Sequence, residues 1–501
     1  MGVAAAMQGA PMSRVRSRYQ QGWWLQRVGA SPNCWCYSEQ NVKVALPDEL
    51  AQIVRNLPGS YLVGGCVRDA LLGLAVKDYD VEVFGATYEQ LAQTLARWGK
   101  PDMVGKSFGV VKLTLPSATI YDFSVPRRDS KIASGHKGFQ ITFDPAIGPK
   151  EAAARRDFTI NSLMYDPRTN EVLDFFNGQQ DLQARVLRHT SAAFTEDPLR
   201  VLRGMQFCAR FDLTPAAETV LLCRDMKGSY PELARERVRD EWFKWAARSR
   251  MPSAGLKFLR DTQWIEHFPE LNAIIGVPQE PEWHPEGDVF THTCHCCDAL
   301  VKLPSWLEAD EETRIVLSLA TLTHDFGKAT TTEKAIRDGQ TRIISPGHEE
   351  AGVTLAESFC ERIGVYRAIT DRVLPLIKNH MAHMMTVTDR SVRRLSKRLE
   401  PESIEHLLVL MTADASGRPP KPFRLPASVH QLRAKAEELK VQEKAPTPII
   451  MGRHLFRFGL EPGPEFKVLL DEAYEAQLEG RFSDLDGGLH WLREVKRLHP
   501  N

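Results

Sequence analysis

Two closely spaced carboxylates follow a glycine turn in the first fifth of the sequence. An apolar, strand-like segment leads into Gly64 and Gly65, and Arg68 falls in the first turns of the helix predicted to follow. Asp78 and Asp80 open the next predicted strand, where alternation places both carboxylates on one face. Such a turn presents backbone N–H groups to phosphate oxygens, and paired carboxylates share hard divalent cations, with Mg²⁺ the natural candidate. The combination is typical of phosphoryl or nucleotidyl transfer.

A third carboxylate, Asp122, lies on the strand predicted over residues 120–125. It is a further candidate catalytic residue, contributed by a neighbouring strand. A lone Gly-Gly is usually only a turn, and an Asp-x-Asp is more often a solvated strand edge than a metal site. The ordered combination of turn, helix and carboxylates favours the catalytic interpretation.

Histidine and aspartate side chains recur at wide spacing in the second half of the chain. They are His292, the adjacent pair His324-Asp325, His348, His380 and Asp414. Neutral imidazoles and carboxylates bind transition metals, and the wide spacing fits ligands delivered by several packed helices. A lone histidine in a helix is usually a packed core residue, but the doublet followed by Gly-Lys is a more specific signal. The pattern predicts a second metal centre.

The nine cysteines are spread thinly, which favours reduced thiols over a disulfide framework. Cys294, Cys296 and Cys297 crowd around His295, but no second Cys-x-x-Cys pair accompanies them. Structural zinc sites have such a pair, so the sequence favours a buried thiol cluster over a zinc site. The basic run over residues 390–398 is expected to form a solvated helix face, with contact to nucleic-acid phosphates as the alternative.

Composition sets wide bounds on the molecule. The 501 residues are 43% apolar and 26% charged, which is typical of a soluble globular protein of two to four domains. The 64 basic and 64 acidic residues cancel, so a nucleic-acid partner must be held by a locally basic face. We find no run of 18 apolar residues and no secretory signal, so we expect no membrane partner and a cytoplasmic location.

Strand and helix patterns divide the chain into an α+β part and a helical part. Strand-like segments recur over residues 61–63, 80–84, 110–115, 120–125 and 171–175, and residues 88–98 favour a helix. After Thr190 the strand signals end and long amphipathic helical patterns follow. We therefore predict an α+β fold with a small mixed sheet first and an all-helical remainder.

Two further motifs follow in order. Residues 155–163 (RRDFTINSL) combine arginines, which meet triphosphate charge, with a carboxylate that meets sugar hydroxyls. Residues 196–203 (EDPLRVLR) start a helix, and taken alone they are explained by ordinary N-terminal capping. Together with the glycine turn and Asp-x-Asp, these motifs resemble the DNA polymerase β nucleotidyltransferase superfamily, and more closely its class II tRNA nucleotidyltransferase and poly(A) polymerase branch.

The resemblance implies a role for each matching residue. Asp78 and Asp80 would hold Mg²⁺, with Asp122 as the third catalytic carboxylate. Asp197 and Arg200 would select the base, since an aspartate accepts from an exocyclic amine and an arginine donates to ring nitrogen or carbonyl oxygen. The other expected nucleotide-binding residues are Gly64, Gly65, Arg68, Arg156, Asp157 and Arg203. Many relatives carry arginine where this chain has Gln206, so that contact is not carried over.

The histidine pattern resembles the HD phosphohydrolase domain. That resemblance implies a metal set of His292, His324, Asp325 and Asp414, with His348 and His380 binding a second metal or the phosphate. The expected metal is a transition ion, Ni²⁺, Mn²⁺, Co²⁺ or Zn²⁺.

These resemblances imply a domain order and a function. We expect a poorly ordered extension (1–46), a nucleotidyltransferase head (47–190), a helical neck that contacts RNA (191–280), an HD-type body (281–417) and a helical tail with linkers (418–501). The expected activity is template-independent addition of C and A to the tRNA 3′ end, with tRNA, CTP and ATP as partners and the oligomeric state left open.

The alternatives are a CC-adding or A-adding specialist, a poly(A) polymerase, or mainly an HD phosphohydrolase on 2′,3′-cyclic or 2′-phosphate ends.

Overall fold

A computed structural model describes residues 44–103, 109–131 and 139–494. The predicted extension, residues 1–46, lies outside the described residues except for its last three positions. No helix in the described ranges is long and apolar enough to cross a membrane.

The head is a mixed sheet of seven strands in the order β3-β4-β5-β2-β1-β8-β9. Its strands are β1 (Ser60–Val63), β2 (Asp80–Val83), β3 (Lys100–Asp102), β4 (Val110–Thr114), β5 (Ile120–Ser124), β8 (Met164–Asp166) and β9 (Glu171–Leu173). The hairpin β6 (Arg127–Lys131) and β7 (Phe139–Phe143) stands apart from this sheet. The head helices are α1 (Asp48–Asn56), α2 (Gly65–Leu71), α3 (Tyr88–Leu95), α4 (Pro149–Ala154) and α5 (Gly178–Gln183).

One pairing in this sheet is parallel. β2 and β5 run in the same direction, with Asp80 directly opposite Asp122, whereas every other paired neighbour in the sheet is antiparallel across the described strands. Neighbouring strands lie about 5 Å apart, so register partners on one face hold their side chains side by side. The expected small mixed sheet is confirmed.

The rest of the chain is mainly helical. Its helices are α6 (Leu199–Phe211), α7 (Ala217–Asp225), α8 (Arg235–Arg248), α9 (Pro252–Asp261), α10 (Pro269–Asn272), α11 (Val289–Leu300), α12 (Pro304–Glu308), α13 (Glu311–Thr323), α14 (Lys328–Thr331), α15 (His348–Arg362), α16 (Arg367–Asn379), α17 (Asp389–Leu399), α18 (Ile404–Ser416), α19 (Ala427–Leu439), α20 (Gly452–Leu455), α21 (Pro464–Leu478) and α22 (Leu485–Glu494).

Strands also occur after Thr190, contrary to the expectation of an all-helical remainder. β10 (Val186–Leu187) pairs with β11 (Thr214–Pro215), and β12 (Glu333–Arg337) forms a hairpin with β13 (Gln340–Ile344). The hairpin turns on Asp338 and Gly339, which both have positive φ, as a two-residue type I′ turn requires. Most of β12 faces solvent, so its sequence lacks the alternation of apolar and polar residues that predicts a strand.

The main apolar core of the described residues runs from the sheet through the helical region, and a small separate cluster lies in the head around Ile147 and Met164. The centre of the main core includes Trp242, whose ring makes edge-to-face contacts with Phe268 and Phe359 at centroid distances of 5.1 and 5.2 Å. These rings join α8, the chain before α10, and α15, so the segments predicted as neck and body share one core. A separate small cluster lies between residues 450 and 492 in the tail.

The basic run over residues 390–398 lies on α17. Arg390 donates to Glu479 at 2.6 Å, and Arg394 pairs with Glu475 and Glu479 at 2.9 and 3.2 Å. Acidic side chains at the end of α21 and just after it therefore compensate part of this face. The expectation of a purely solvated face is incomplete for these arginines.

Candidate active site and metal centre

The turn before α2 requires glycine. Gly64 has φ +74°, and a Cβ placed there would lie 2.9 Å from Arg156 Nη1. A side chain would therefore be strained and would displace the Arg156 guanidinium. The Gly64 amide donates to the Leu163 carbonyl at 3.2 Å, so this N–H joins the turn to the motif at residues 155–163.

Arg68 lies on α2 as predicted and is almost fully buried. Its guanidinium donates to Asn161 Oδ1 at 2.5 Å and to Asp69 Oδ1 at 2.6 and 2.8 Å. The same group lies 4.4 Å from the ring centroid of Phe211, close enough for a cation–π contact. These contacts fix one positive charge at the edge of the cleft beside Asp80.

Four carboxylates share one face of the sheet. Asp78, Asp80 and Glu82 are spaced two residues apart along β2 and its approach, and Asp122 stands opposite Asp80 in register. Partial desolvation in the cleft raises the pKa of the Asp80 carboxyl. The negative charges of Asp122, Asp78 and Glu82 raise this pKa further, whereas Arg156 lowers it. This crowding of like charges fits a divalent cation and its charge.

Two side chains beside these carboxylates were not anticipated from the sequence. Lys112 on β4 is the register partner of Asp122, and its Nζ lies 2.8 and 2.9 Å from the two carboxylate oxygens. Glu82 accepts from Arg156 Nη2 at 3.0 Å. The alternation along β2 predicts the face of Glu82, but Lys112 reaches it only through strand pairing and Arg156 only through the chain that follows α4.

A cleft of about 790 Å³ opens in front of the carboxylates. Asp78 and Asp80 line it together with five arginines, one from α2 of the head and four from the helical region. The cleft arginines are Arg68, Arg210, Arg248, Arg250 and Arg314. This arrangement brings cationic side chains and carboxylates into one cleft, a combination suited to phosphate groups with a bound cation.

The motif at residues 155–163 connects the sheet to α6. Asp157 accepts from Arg203 Nε at 2.7 Å and from Asn161 Nδ2 at 3.0 Å. Burial alone would raise the pKa of Asp157, but Arg203 and these hydrogen bonds hold it below its ordinary value. The carboxylate is therefore ionised, and it orients Arg203 along the first turns of α6.

Asp197 and Arg200 lie together at the start of α6. The Asp197 carboxylate caps the helix by accepting from the Leu199 amide at 3.0 Å, and it accepts from Arg237 Nη2 at 2.7 Å. Arg200 donates to the carbonyls of Ala193 and Arg155 at 2.6 and 2.7 Å. Two of its five N–H groups are thereby used.

Two neighbours bear on the motif at residues 196–203. Arg237 enters from α8, a contact that the spacing along the chain does not disclose. Gln206, which stands where many relatives have arginine, is only 2% exposed and lies within α6.

The second constellation also assembles, as expected. His292 lies on α11, His324 and Asp325 directly follow α13, His348 begins α15, His380 follows α16, and Asp414 lies near the end of α18. All six side chains are buried. The histidines and acids spread over 123 positions therefore meet in one pocket of the helical body.

The ligand atoms form two groups that meet at Asp325. Its Oδ2 lies 3.4 Å from His324 Nε2 and 3.8 Å from His292 Nε2. Its Oδ1 lies 3.5 Å from His348 Nε2 and 3.9 Å from His380 Nε2. Asp325 thus faces both groups with one oxygen each, which is how a carboxylate serves two neighbouring ions.

The histidine rings are held by their other nitrogens. Nδ1 of His324, His348 and His380 lies 2.6 to 2.8 Å from the carbonyl oxygens of Thr321, Ser345 and Ile377. A ring that donates from Nδ1 keeps Nε2 unprotonated for a metal ion. These contacts follow from the helix ends and were not predicted.

His292 is held by a carboxylate instead. Its Nδ1 lies 2.7 Å from Glu286 Oε1, and His284 Nδ1 lies 2.9 Å from the same oxygen. The carboxylate–histidine arrangement is typical of metal ligands. Glu286 contacts the rings of both His284 and His292, and sequence spacing alone did not identify it as part of the site.

These contacts favour a bound cation. His324 Nε2 is buried and makes no hydrogen bond within the part of the chain that the structure describes. His348 Nε2 and His380 Nε2 face each other at 3.1 Å although both rings have Nδ1 on a carbonyl. Two unprotonated nitrogens repel at that distance, so the donor set fits a metal ion between them.

Comparisons with known proteins match the chain to two domain families and to full-length relatives. Residues 60–188 match the family described as Poly A polymerase head domain, and residues 289–416 match the HD domain. The chain is 36% identical over 370 residues to a multifunctional CCA protein of Xanthomonas euvesicatoria, covering 72% of this chain and 85% of that protein. It is 34% identical over 439 residues to a multifunctional CCA protein of Hahella chejuensis, covering 84% and 98%.

The chain belongs to the multifunctional CCA protein family. In fold it is also similar to the Thermotoga maritima CCA-adding enzyme complexed with tRNA, with a TM-score of 0.57, 18% identity, and coverage of 92% of this chain and 98% of that one. The resemblance to the nucleotidyltransferase superfamily with an HD domain is confirmed. In this member of the multifunctional CCA protein family, the two constellations fall inside the two matched domains.

The carboxylate crowding predicts how stability depends on pH. Because the pKa of Asp80 is raised on folding, its ionised form weakens the folded state above the ordinary aspartate pKa of about 3.9. We expect Asp80→Asn to raise the unfolding temperature of the metal-free protein at neutral pH, with the difference shrinking as pH falls. Added Mg²⁺ should raise the unfolding temperature of the wild type more than that of Asp80→Asn.

Thermal unfolding followed by intrinsic fluorescence between about pH 4 and pH 8, a range that reaches the ordinary aspartate pKa, measures both effects. Asp48→Asn, an exposed acid at the start of α1, is the matched control. A lower unfolding temperature for metal-free Asp80→Asn, or equal Mg²⁺ shifts in the two proteins, would contradict the crowding of carboxylates at this site.

Proposed function

We propose that this protein is a template-independent tRNA nucleotidyltransferase that adds C and A to the tRNA 3′ end from CTP and ATP and releases pyrophosphate. The observation that carries the proposal is the register pairing of Asp80 with Asp122 at the mouth of an arginine-lined cleft. Membership of the multifunctional CCA protein family supports the choice of tRNA over other RNA ends.

The proposed metal ligands in the head are Asp78 and Asp80, with Asp122 as the third catalytic carboxylate. Mg²⁺ bound there supplies positive charge that activates the tRNA 3′ hydroxyl and neutralises the leaving pyrophosphate. Lys112 holds Asp122 by a charge-assisted contact and keeps its carboxylate facing Asp80. Oxygen-only donors at this site favour Mg²⁺ over softer ions.

The proposed triphosphate and ribose site lies between α2 and α6. Gly64 and Gly65 allow close approach of phosphates to the backbone, and Arg68 and Arg156 supply positive charge. Asp157 and Arg203 stand across from them, where the carboxylate can accept from ribose hydroxyls while fixing Arg203. Bringing these groups together in advance lowers the entropy that the reaction must lose.

Base choice is proposed to rest on Asp197 and Arg200. The Asp197 carboxylate accepts from the exocyclic amine that C and A share, and an unused N–H of Arg200 donates to a ring nitrogen or carbonyl. Arg237 holds Asp197 in place, and the carbonyls of Ala193 and Arg155 hold Arg200. A protein template of this kind removes the need for a nucleic-acid template.

The tRNA itself is proposed to be read by shape and phosphate contact. The cleft arginines Arg210, Arg248 and Arg250 face the carboxylates and can bind the backbone of the acceptor end. This contact carries no sequence information, so a CC-adding, A-adding or poly(A)-adding specificity would use the same residues. We also propose a cytoplasmic location and domain boundaries at residues 190, 280 and 417.

Removal of either metal ligand should abolish addition. We expect Asp78→Ala or Asp80→Ala to lower the rate of CTP and ATP incorporation about 10³-fold or more, because several kcal/mol of charge stabilisation in the transition state are lost. Binding of tRNA should stay within a few fold of the wild type, since the cleft arginines remain.

Incorporation of labelled CTP and ATP into a tRNA transcript and gel-shift titration measure the two properties. Asp48→Ala is the control for a neutralised head carboxylate outside the cleft. Full incorporation by either Asp78→Ala or Asp80→Ala would refute the assignment of the catalytic site.

A second activity is proposed for the helical body: metal-dependent hydrolysis of 2′,3′-cyclic or 2′-phosphate ends. The specific observation that favours it is the pair of ligand groups that share Asp325. His292, His324, Asp325 and Asp414 are the proposed first metal set, with His348 and His380 for a second ion or the phosphate. A transition metal there supplies a water of lowered pKa as nucleophile.

A cavity gives access to the metal centre of the helical body. A cavity of about 410 Å³ reaches Asp414 and is lined by Trp283, His383 and the cationic side chains of Arg418, Lys421 and Arg424. Arg418 Nη2 lies 2.8 Å from Asp414 Oδ1, and so joins the cavity to the metal set. Cationic walls attract a phosphate-bearing end, and an exposed tryptophan can stack on its base.

The two activities should separate by mutation. We expect His324→Ala and Asp325→Ala to lose hydrolysis of a 2′,3′-cyclic nucleotide and to keep most CTP and ATP incorporation, whereas Asp78→Ala should show the opposite pattern. The reason is that the two ligand sets share no residue. Phosphate release and incorporation, each assayed with Mg²⁺, Mn²⁺, Ni²⁺ and Co²⁺, measure the split.

Absence of hydrolysis by the wild type with every one of these ions would rule out the second activity. Retention of hydrolysis by both body variants would place it elsewhere.

A further inference from the structure

We propose that Cys296 is a thiolate ligand of the metal centre in the helical body, and that it biases this centre toward Zn²⁺ or Co²⁺ over Mg²⁺ and Mn²⁺. The inference rests on the proposed metal set of His292, His324, Asp325 and Asp414. It adds a sulfur donor to a set that otherwise contains only nitrogen and oxygen.

Cys296 lies one helical turn after His292 on α11. Residues four apart share a helix face, so both side chains point the same way. Cys296 is fully buried, and its Sγ lies 3.3 Å from His292 Nε2. Zinc–nitrogen distances of about 2.0 Å and zinc–sulfur distances of about 2.3 Å place two tetrahedral ligand atoms roughly 3.5 Å apart. The observed separation fits a shared ion.

Three helical segments complete this group. One ligand atom from each of His292, Cys296, His324 and Asp414 can be chosen so that all four lie within 4.8 Å of one another. His292 Nε2 is 3.0 Å from Asp414 Oδ1, and the buried His324 Nε2 makes no hydrogen bond to any described residue. A nitrogen in that situation needs a partner, and a cation within the group supplies one.

The backbone leaves room for the sulfur. A Cβ at Gly417, directly after α18, would lie 2.3 Å from Cys296 Sγ and 2.9 Å from its amide nitrogen. The φ of Gly417 is −79°, so the need for glycine comes from space and not from conformation. The chain thus accommodates a thiol in contact with the ligand group.

The neighbouring cysteines provide an internal contrast. Cys294 and Cys297 lie on the same helix and are equally buried, but neither belongs to a metal-ligand group among the described residues. The sequence prediction of a plain buried thiol cluster therefore fits these two, whereas Cys296 differs by the direction of its side chain. The missing Cys-x-x-Cys spacing is no obstacle, because the other ligands come from distant helices.

The donor atoms determine the expected selectivity. Thiolates favour zinc and other soft or borderline ions, while carboxylates and carbonyls favour magnesium and manganese. The second group, Asp325, His348 and His380, has no sulfur. Binding forms a metal–sulfur bond and breaks the S–H bond, whose proton passes to solvent, and no electron is transferred.

Cobalt spectroscopy on the full-length, metal-free protein tests the inference. On addition of Co²⁺ alone, the wild type should give a near-ultraviolet sulfur-to-cobalt charge-transfer band. Cys297→Ala, the matched control on the same helix, should keep the band, and Cys296→Ala should lose it. Competition with a chromophoric chelator should show Zn²⁺ affinity at least about 100-fold weaker in Cys296→Ala, since even the loss of an outer partner costs 10- to 100-fold.

The possible results distinguish failure of the Cys296 ligand from failure of the metal centre as a whole. Co²⁺ bound by the wild type without a charge-transfer band, or equal Zn²⁺ affinity in Cys296→Ala, would overturn the thiolate ligand and leave the metal centre standing. Failure of the wild type to bind Co²⁺ or Zn²⁺ would overturn both. Cys296→Ser, nearly the same size, replaces Cys296→Ala if the alanine variant does not fold, and the same loss of the band is expected.

Discussion

Mutual repulsion among carboxylates is the constraint on which the head depends. The parallel pairing of β2 with β5 places Asp80 beside Asp122, and alternation along β2 adds Asp78 and Glu82 to the same face. Burial in the cleft raises the pKa of Asp80, these like charges raise it further, and Arg156 lowers it. Arg156, Lys112 and the glycine turn surround this cluster, so the local fold is built to balance its charge.

Both centres bring together side chains that can hold a cation, but their donor atoms differ. The head offers oxygen ligands at an open cleft, whereas the helical body offers imidazoles, carboxylates and a thiol in a buried pocket. A single helix, α13, lies between them. Its first residue, Glu311, and Arg314 line the cleft, and its end delivers His324 and Asp325. The 13 residues of α13 span about 20 Å, so a rigid element fixes the separation of the two sites.

The sequence predicted what local patterns encode. The turn at Gly64, the Asp-x-Asp pair, the histidine doublet and the mixed sheet followed by helices were all recognisable because their members are close in sequence or repeat at helical or strand spacing. Contacts between side chains that are distant in sequence were not recognisable. Lys112 on β4 reaches Asp122 because the two residues are register partners in the sheet. Arg237 on α8 reaches Asp197, which lies just before α6. No spacing rule discloses these partners.

Two omissions had signals that were available. The hairpin over residues 333–344 was missed because its strands lack an apolar face, although Asp338-Gly339 is a strong type I′ turn signal. Cys296 was grouped with its neighbours, although its spacing of four from His292 places it on the ligand face. In both cases a general pattern outweighed a specific pair of residues.

Primer extension decides whether the head adds C and A to tRNA in order. Three tRNA transcripts, ending before CCA, after C and after CC, are extended with CTP and ATP separately and together. We expect completion to CCA on all three, with CTP required for the first two and ATP alone sufficient for the third. No incorporation on any transcript, or long A tails on unrelated RNA, would contradict it.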